Sequence, residues 1–443
     1  MKQKPLLMAT LALAIPSIVQ QLFTNAAQMA DNLMVGQLQE SAIAGVTITN
    51  QVFFIFTLVI FGITSAAGIY MTQYFGTGNK GKMLEIFRIS LLFGLLTGGF
   101  FYAIMHFFPR YVLSFFASSQ DTIAHAKEYL RYIQFTFLLF PVTMMVTSGF
   151  RFNGYVRLPM YLSLFTVAVG IFLNYGLIHG NFGMPALGVA GAGLATLIAR
   201  VLEMSLAILL TLVLDTPIKL SALKVFGFTK ELLMDFIKKG YGLVMNEFFW
   251  AFGVQALTVI YTQRISANIA SLSISQALGN LIFIGTGGMS VAFSIILGEH
   301  LGRGEFGEAK DKARSLLRIS AGTGLILGAL VFLLSFPLFG FYDVAPATIQ
   351  TARTLLLINA VFSWLYYINA GLYFILRSGG DTKGVVMIDS GFNWIIMIPV
   401  AFLLGRFEIL LPLHFLLVQL LELLKLAVGR KLTNRDAWLK NLT

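Results

Sequence analysis

Long apolar runs separated by short polar breaks pattern this chain from end to end. A bilayer core of about 30 Å needs roughly 20 apolar residues per helix. Twelve runs meet that length: 6–35, 43–75, 84–108, 122–150, 158–178, 187–214, 232–261, 269–297, 315–341, 348–376, 385–404 and 409–429. A spanning barrel would instead show short segments alternating apolar and polar residues. Helices satisfy their own backbone in lipid, so the pattern predicts an all-α, polytopic membrane protein with twelve transmembrane helices.

Composition supports the pattern. Of 443 residues, 57% are hydrophobic and 12% charged, and mean hydropathy is +0.81. A soluble globule averages about 25% charged, and a disordered chain is poorer still in apolar residues. Both classes are excluded, as is a soluble enzyme with one anchor.

The net charge of +11 would suggest nucleic acid until the charges are placed. With the N-terminus inside and the spans alternating, the inner breaks and the adjoining inner ends of the spans hold 24 of the 31 Lys and Arg. The outer ends hold Arg110, Lys127, Arg131, Arg264, Arg353 and Arg406, and Arg200 falls within a span. That bias is the positive-inside pattern. It predicts cytoplasmic termini, a multi-pass protein of the plasma (inner) membrane, and no concentrated patch for nucleic acid. Residues 1–14 imitate a signal peptide, but the apolar run continues to Val35, as an uncleaved first helix would. Cysteine is absent, which excludes disulfides and thiol chemistry.

The chain repeats itself at an offset of 226. Gly76, Gly78 and Gly81 map onto Gly302, Gly304 and Gly307; Arg88 maps onto Arg314, Arg151 onto Arg377, and Gly154 onto Gly380. Each half holds six spans, so both halves run in the same direction through the membrane. Parallel repeats are a transporter architecture. The expected division is 1–225 and 226–443, joined by a cytoplasmic linker at about 215–240.

Two nucleotide-like motifs lose their meaning here. Residues 76–82 match G-x-G-x-x-G and nearly match a P-loop, but both need a preceding strand. The bland reading is a tight turn between spans, recurring at Gly302–Gly307. The five His are scattered without metal-ligand spacing, and neither G-x-S-x-G nor H-E-x-x-H occurs. No enzyme signature is visible and no cofactor is expected.

Acids inside apolar spans need a reason, because each costs roughly 3 kcal/mol or more at the bilayer centre. Asp31 shares the first span with Asn25, Gln28 and Asn32, and reads either as interfacial or as functional. Glu247, beside Asn246 in the seventh span, has no basic residue one turn away. Its repeat partner is Gln21. Asp389 lies near Asn393 and Trp394, close to the cytoplasmic end by its distance from Lys383. Glu203 can pair with Arg200 three residues before it, and Glu422 with Lys425 likewise; both read as structural. Asn174 and Thr196, in the fifth and sixth spans, can bond neighbouring helices.

At this point the chain resembles the multidrug and toxic compound extrusion (MATE) family. The resemblance rests on residues 21–36 with Asp31, on the Gly76/Gly78 turn, and on Arg151-Phe152-Asn153-Gly154-Tyr155-Val156-Arg157-Leu158-Pro159. It rests also on Asn174-Tyr175, on residues 187–196 and on Leu376-Arg377-Ser378-Gly379-Gly380-Asp381-Thr382. It implies two pseudo-symmetric six-helix lobes forming a V-shaped central cavity, and export of cationic or aromatic drugs in exchange for H+ or Na+. Asp31 matches the family's helix-one carboxylate, which binds the coupling ion, including Na+. Asn174 and Thr196 match two further positions linked with that ion. Glu247 matches a helix-seven carboxylate of one branch. The family's helix-ten acid falls at about Tyr366 and its helix-five acid at Ile178, so two carboxylates are missing. Asp389 is a candidate to replace the first, with Asn25, Gln28 and Asn246 as further cavity candidates.

The mechanism expected is alternating access. Small organic cations and drugs, a coupling cation and lipid are the expected partners, and the family implies a monomeric, bacterial protein. A lipid-linked oligosaccharide flippase of the same superfamily is the nearest rival, but it should carry several bases in its cavity, and Arg200 is the clear intramembrane base in the sequence. A membrane-embedded transferase should show clustered His and acids at one membrane face.

Overall fold

The computed structural model describes residues 5–117, 119–214, 218, 227–262, 268–342, 344–407 and 409–443, without the side chains of Asn32, Asn268 and Phe341. Lys2, Lys4, Lys219, Lys224 and Arg264 lie outside the described residues, as do 215–217 and 219–226 of the expected linker.

The apolar runs become helices: α1 (Leu6–Gly36), α2 (Glu40–Thr77), α3 (Lys80–Phe107), α4 (Pro109–Phe116), α5 (Gln120–Ile133), α6 (Thr136–Phe152), α7 (Arg157–His179) and α8 (Gly188–Val213). The second series is α9 (Lys230–Thr262), α10 (Asn268–Gly302), α11 (Phe306–Leu338), α12 (Pro346–Ser378), α13 (Thr382–Val386), α14 (Ile398–Leu404) and α15 (Leu411–Thr433). Among the described residues, 11 helices or helix runs are long and apolar enough to span a membrane, or 12 if a bent pair counts as one. That pair is α5 and α6, set at 50°, where the sequence predicts one continuous fourth span. The stretch from Lys230 is helical rather than linker.

Local chemistry sets the ends. Asn79 caps α3 by accepting from the Lys82 N–H at 3.1 Å, and Asp381 caps α13 through the Gly384 N–H at 3.2 Å. Such caps satisfy backbone donors that a helix start leaves unpaired. Pro109 and Pro346 stand in the first turns of α4 and α12, where a missing N–H costs nothing. The repeat is visible in the backbone. Gly78 and Gly304 have φ of 71° and 74°, and Gly154 and Gly380 have φ of 82° and 70°, angles that glycine adopts without penalty. The nucleotide-like motifs are thus turns, between α2 and α3 and between α10 and α11.

Two compact units emerge from the contacts. One comprises Val19–Met71 and Asn79–Gly240; the other comprises Met1–Ile18, Thr72–Gly78 and Tyr241–Thr443. Within the first, α3 packs on α6, and α8 packs on α5, α6 and α7. Its interior holds Phe53, Phe56, Phe101 and Phe137, with ring centroids 5.0 to 5.9 Å apart, spacings at which aromatic pairs attract. Within the second, α12 packs against α10, α11 and α15. Tyr261, Leu272, Leu355, Phe392, Phe415 and Val418 form a core there. Lipid gives helices no hydrophobic drive to associate, so small residues bring backbones together. A side chain at Gly191 would collide with the Leu177 carbonyl, and one at Gly328 with Ser363.

The eleventh predicted span is continuous but irregular. Between α13 and α14, residues Met387–Gly391 and Asn393–Met397 are π-helical. This wider winding places Asp389 and Asn393 in the middle of an apolar span, and such segments are frequent at functional sites.

Candidate functional site

Polar side chains inside the membrane collect in two places, one in each unit. In the first unit, α1 carries Asp31 and α7 carries Asn174. The Asn174 Nδ2 donates to Asp31 Oδ1 at 2.6 Å. Asn174 is 3% exposed, and its Oδ1 has no hydrogen-bond partner. A buried amide oxygen beside a carboxylate is an unusual expense, since buried polar atoms are almost always bonded. Both oxygens are hard donors of the kind that hold a cation.

Thr196, on α8, donates to its own Ala192 carbonyl at 2.9 Å. Buried Tyr129, on α5, is within electrostatic reach of Asp31 and hydrogen-bonding reach of Thr196. Thus Asp31, Asn174, Thr196 and Tyr129 are gathered from four helices. Arg200 pairs with Glu203 at 2.6 Å, the local ion pair expected from their spacing, and its guanidinium also lies 5.4 Å from the Phe140 ring. Asn25 is half-buried and Gln28 exposed, and neither side chain hydrogen-bonds to Asp31 or Asn174 among the described residues.

In the second unit, neighbouring residues of α9 reach in different directions. Asn246 is fully buried; its Nδ2 donates to Asp389 Oδ2 at 2.8 Å, and its Oδ1 accepts from the Ser390 hydroxyl at 2.8 Å. Glu247 Oε1 accepts from the Tyr373 hydroxyl at 3.1 Å, and Arg377 and Asp389 both face Glu247 electrostatically. Lys425 Nζ lies 3.8 Å from Asp389 Oδ1. One polar network therefore joins α9, α12, the π-helical segment and α15.

Two expectations change here. Glu422 and Lys425 do not pair along their helix. Glu422 accepts from Asn369 Nδ2 at 2.7 Å, while Lys425 turns to Asp389, because partners on adjacent helices offer burial as well as charge. Asp389, expected close to the cytoplasmic end of its span, has Asn246 and Lys425 as partners. Arg200 is not the one base among the spans. Arg377 is buried beside Glu247 and the Tyr373 ring, and Arg151 donates to Gln20 Oε1 at 2.9 Å.

The sequence held a signal for these arginines. Arg151 and Arg377 stand 226 apart, so an arginine at the end of each half's fourth span is part of the repeated design. Nothing local marked Tyr129, which looks like any interior aromatic. Tyr366 and Ile178, where the resemblance places missing acids, are both buried. Among the described residues no three His, Cys, Asp or Glu gather as a metal cluster.

This pairing of buried acids with amides, one set in each half of a duplicated helical chain, coincides with a match in known sequences. The profile of the MatE family matches residues 16–176 and 244–403, once in each half and over most of the chain. The chain belongs to the MatE family. Members of this family are transporters, not enzymes, and MatE membership accounts for the absent catalytic motifs. The chain is 26% identical over 389 residues to the uncharacterized transporter YisQ of Bacillus subtilis, covering 85% of this chain and 82% of that one. It is 25% identical over 410 residues to the probable multidrug resistance protein NorM of Thermotoga maritima, covering 89% and 85%. Among solved structures, a multidrug resistance MATE family transporter in an outward-facing conformation shares the fold, with a TM-score of 0.87 at 16% identity over 97% of each chain.

Proposed function

We propose that this MatE protein is a multidrug efflux antiporter, exporting cationic or aromatic compounds in exchange for H+ or Na+ by alternating access. The observation that carries the reading is the Asp31–Asn174 pair. Its carboxylate lies in an apolar span with an amide partner at 2.6 Å and no ion pair among the described residues. Such a group is costly when charged and empty. A proton or a sodium ion relieves that cost, so conformations that bind and release the ion differ in energy. Asn174 Oδ1, which lacks a partner, would add a second oxygen to a sodium ion, with Thr196 and Tyr129 closing the site.

Drug and ion then compete for the same negative charge, directly or through conformation, and that competition couples their movements. One charge crossing 100 mV supplies about 2.3 kcal/mol, and one pH unit about 1.36 kcal/mol. Either sustains a drug gradient of tenfold or more. Glu247 and Asp389 form the corresponding candidate in the second unit, with Asp389 standing in for the acid absent at Tyr366. We further infer cytoplasmic termini, from the positive-inside bias.

The flippase alternative draws less support. Arg377 and Lys425 lie beside Glu247 and Asp389, so they offer a pyrophosphate little uncompensated charge.

The test is efflux of a fluorescent organic cation from proteoliposomes, first under an imposed proton gradient and then under a sodium gradient. One gradient should drive export, and Asp31→Asn should abolish it. Parent-like pumping by Asp31→Asn would refute the reading.

A further inference from the structure

A cleft of about 550 Å³ opens between α11, α12 and α15, and none of its lining residues belongs to either polar cluster. Its volume is in the range that holds a small ligand. Its two ends differ in chemistry. The floor is apolar, with Leu317, Ala321, Leu372 and Ile375. The rim is basic, with Lys310, Arg314 and Arg318 on α11 and Arg430 on α15.

The three α11 bases stand at intervals of four, so they form one stripe along the helix. Like charges at that spacing repel and weaken a helix. Acids relieve only the outer part of the stripe. Lys310 pairs with Asp436 at 2.6 Å, and Arg314 meets Asp311 at 3.4 Å in an exposed contact. Arg318 lies one turn further toward the apolar part of α11. Arg318 and Arg430 are both exposed, and neither side chain has an ion pair or hydrogen bond among the described residues. Exposed guanidinium groups without a protein partner beside an apolar floor suit an anion that is itself half apolar. Guanidinium binds phosphate oxygens in a planar fork, and basic pockets between membrane helices suit lipid headgroups.

We propose that this cleft binds an anionic glycerophospholipid. Arg318 and Arg430 hold the phosphate, Arg314 lies within the same rim, and an acyl chain follows Leu317, Ala321 and Leu372. A soluble anion would use the rim and ignore the floor; a zwitterionic lipid would use the floor and bring its own cation to a rim already positive. Charge and shape together favour the anionic lipid. The site is independent of the ion-coupled reading, since no residue is shared with it.

The experiment is native mass spectrometry of the full chain in detergent, titrated with phosphatidylglycerol and, separately, with phosphatidylcholine. The parent should retain phosphatidylglycerol preferentially. Each basic group near an anionic headgroup contributes roughly fivefold, so Arg318→Gln with Arg430→Gln should bind it about 30-fold more weakly. Arg318→Lys with Arg430→Lys should keep most of the binding, which separates charge from folding damage. Arg88→Gln, on α3 in the other unit, should bind like the parent. Equal retention of phosphatidylcholine, unaltered binding in the double Gln variant, or displacement of the lipid by millimolar inorganic phosphate would each overturn the proposal.

Discussion

The Asn174 amide donates to the Asp31 carboxylate at 2.6 Å across 143 residues of chain. The same separation joins Asn246 to Asp389, at 2.8 Å. Both pairs link the first and fifth spans of their unit, but acid and amide have exchanged places. They also differ in their place along the repeat. The repeat offset carries Asp31 to Leu257, which lies 11 positions after Asn246, or about 16 Å of helix rise. The duplicated scaffold therefore holds two acid–amide pairs that are related in construction and distinct in position. A transporter so built can assign different tasks to its halves.

The amide in the first pair is expected to tune ion affinity. Hydrogen bonds to charged groups contribute about 1.5–3 kcal/mol. Asn174→Ala should therefore raise the driving-ion concentration needed for half-maximal efflux by about tenfold or more if the amide helps hold the bound ion. The protein should remain folded, since the variant gives up one side-chain hydrogen bond, that to Asp31, while Oδ1 has no protein partner to lose. Efflux rates measured against a stepped ion gradient report this directly. An unshifted midpoint would remove Asn174 from the site.

In the second unit, Lys425 and Asp389 should behave as a pair. Removing one member of a buried pair leaves an unbalanced charge and costs about 3–5 kcal/mol, while replacing both is often near neutral. Lys425→Met alone should lower the unfolding temperature in detergent more than Lys425→Met combined with Asp389→Asn. In transport, Asp389→Asn should weaken ion coupling, and unchanged coupling would show that Asp389 has no part in it.

Much of this fold was legible from hydrophobic run lengths, because a bilayer imposes one length on every helix. The bend between α5 and α6 was not, since Gln134 and Phe135 interrupt the run without a proline or glycine at the break. The π-helical segment was equally silent, as its residues read as ordinary span. For the polar clusters, charge within an apolar span pointed to Asp31, Glu247 and Asp389, which the structure places among hydrogen-bonding partners. Their partners could not be read, because pairing across 143 residues depends on helix rotation. Lys425 illustrates the limit: its sequence neighbour Glu422 promised a local pair, and tertiary packing gave each a different partner.

The glycines at the repeated turns make a clean test of backbone strain. Nothing lies within 4 Å of a side chain built at Gly78 or Gly304, so size is not the obstacle there. Their positive φ is. Left-handed backbone costs an ordinary residue about 1–2 kcal/mol and asparagine less. Gly304→Ala should lower the unfolding temperature measurably and Gly304→Asn less. Equal effects would mean the turn relaxes to another conformation.

Gln73 offers the sharpest stability prediction. It is fully buried, and its amide serves three backbone groups. Nε2 donates to the Ser378 carbonyl at 3.1 Å and to the Lys440 carbonyl at 3.3 Å, while Oε1 accepts from the Leu442 N–H at 2.8 Å. The repeat equivalent, Glu299, instead pairs with Arg303, so this fastening exists once rather than twice. Each buried backbone group left unpaired costs about 1–3 kcal/mol. Gln73→Leu keeps the volume and removes all three bonds; the Ser378 bond is buried and the two tail bonds are part-buried, so it should destabilise by about 1–3 kcal/mol. Deleting 441–443 removes the Leu442 bond by another route. The combined variant should then lose less than the sum of the two, since coupled sites are not additive. Thermal unfolding of the four proteins in detergent closes the cycle, and strict additivity would show that Gln73 and the tail stabilise the protein independently.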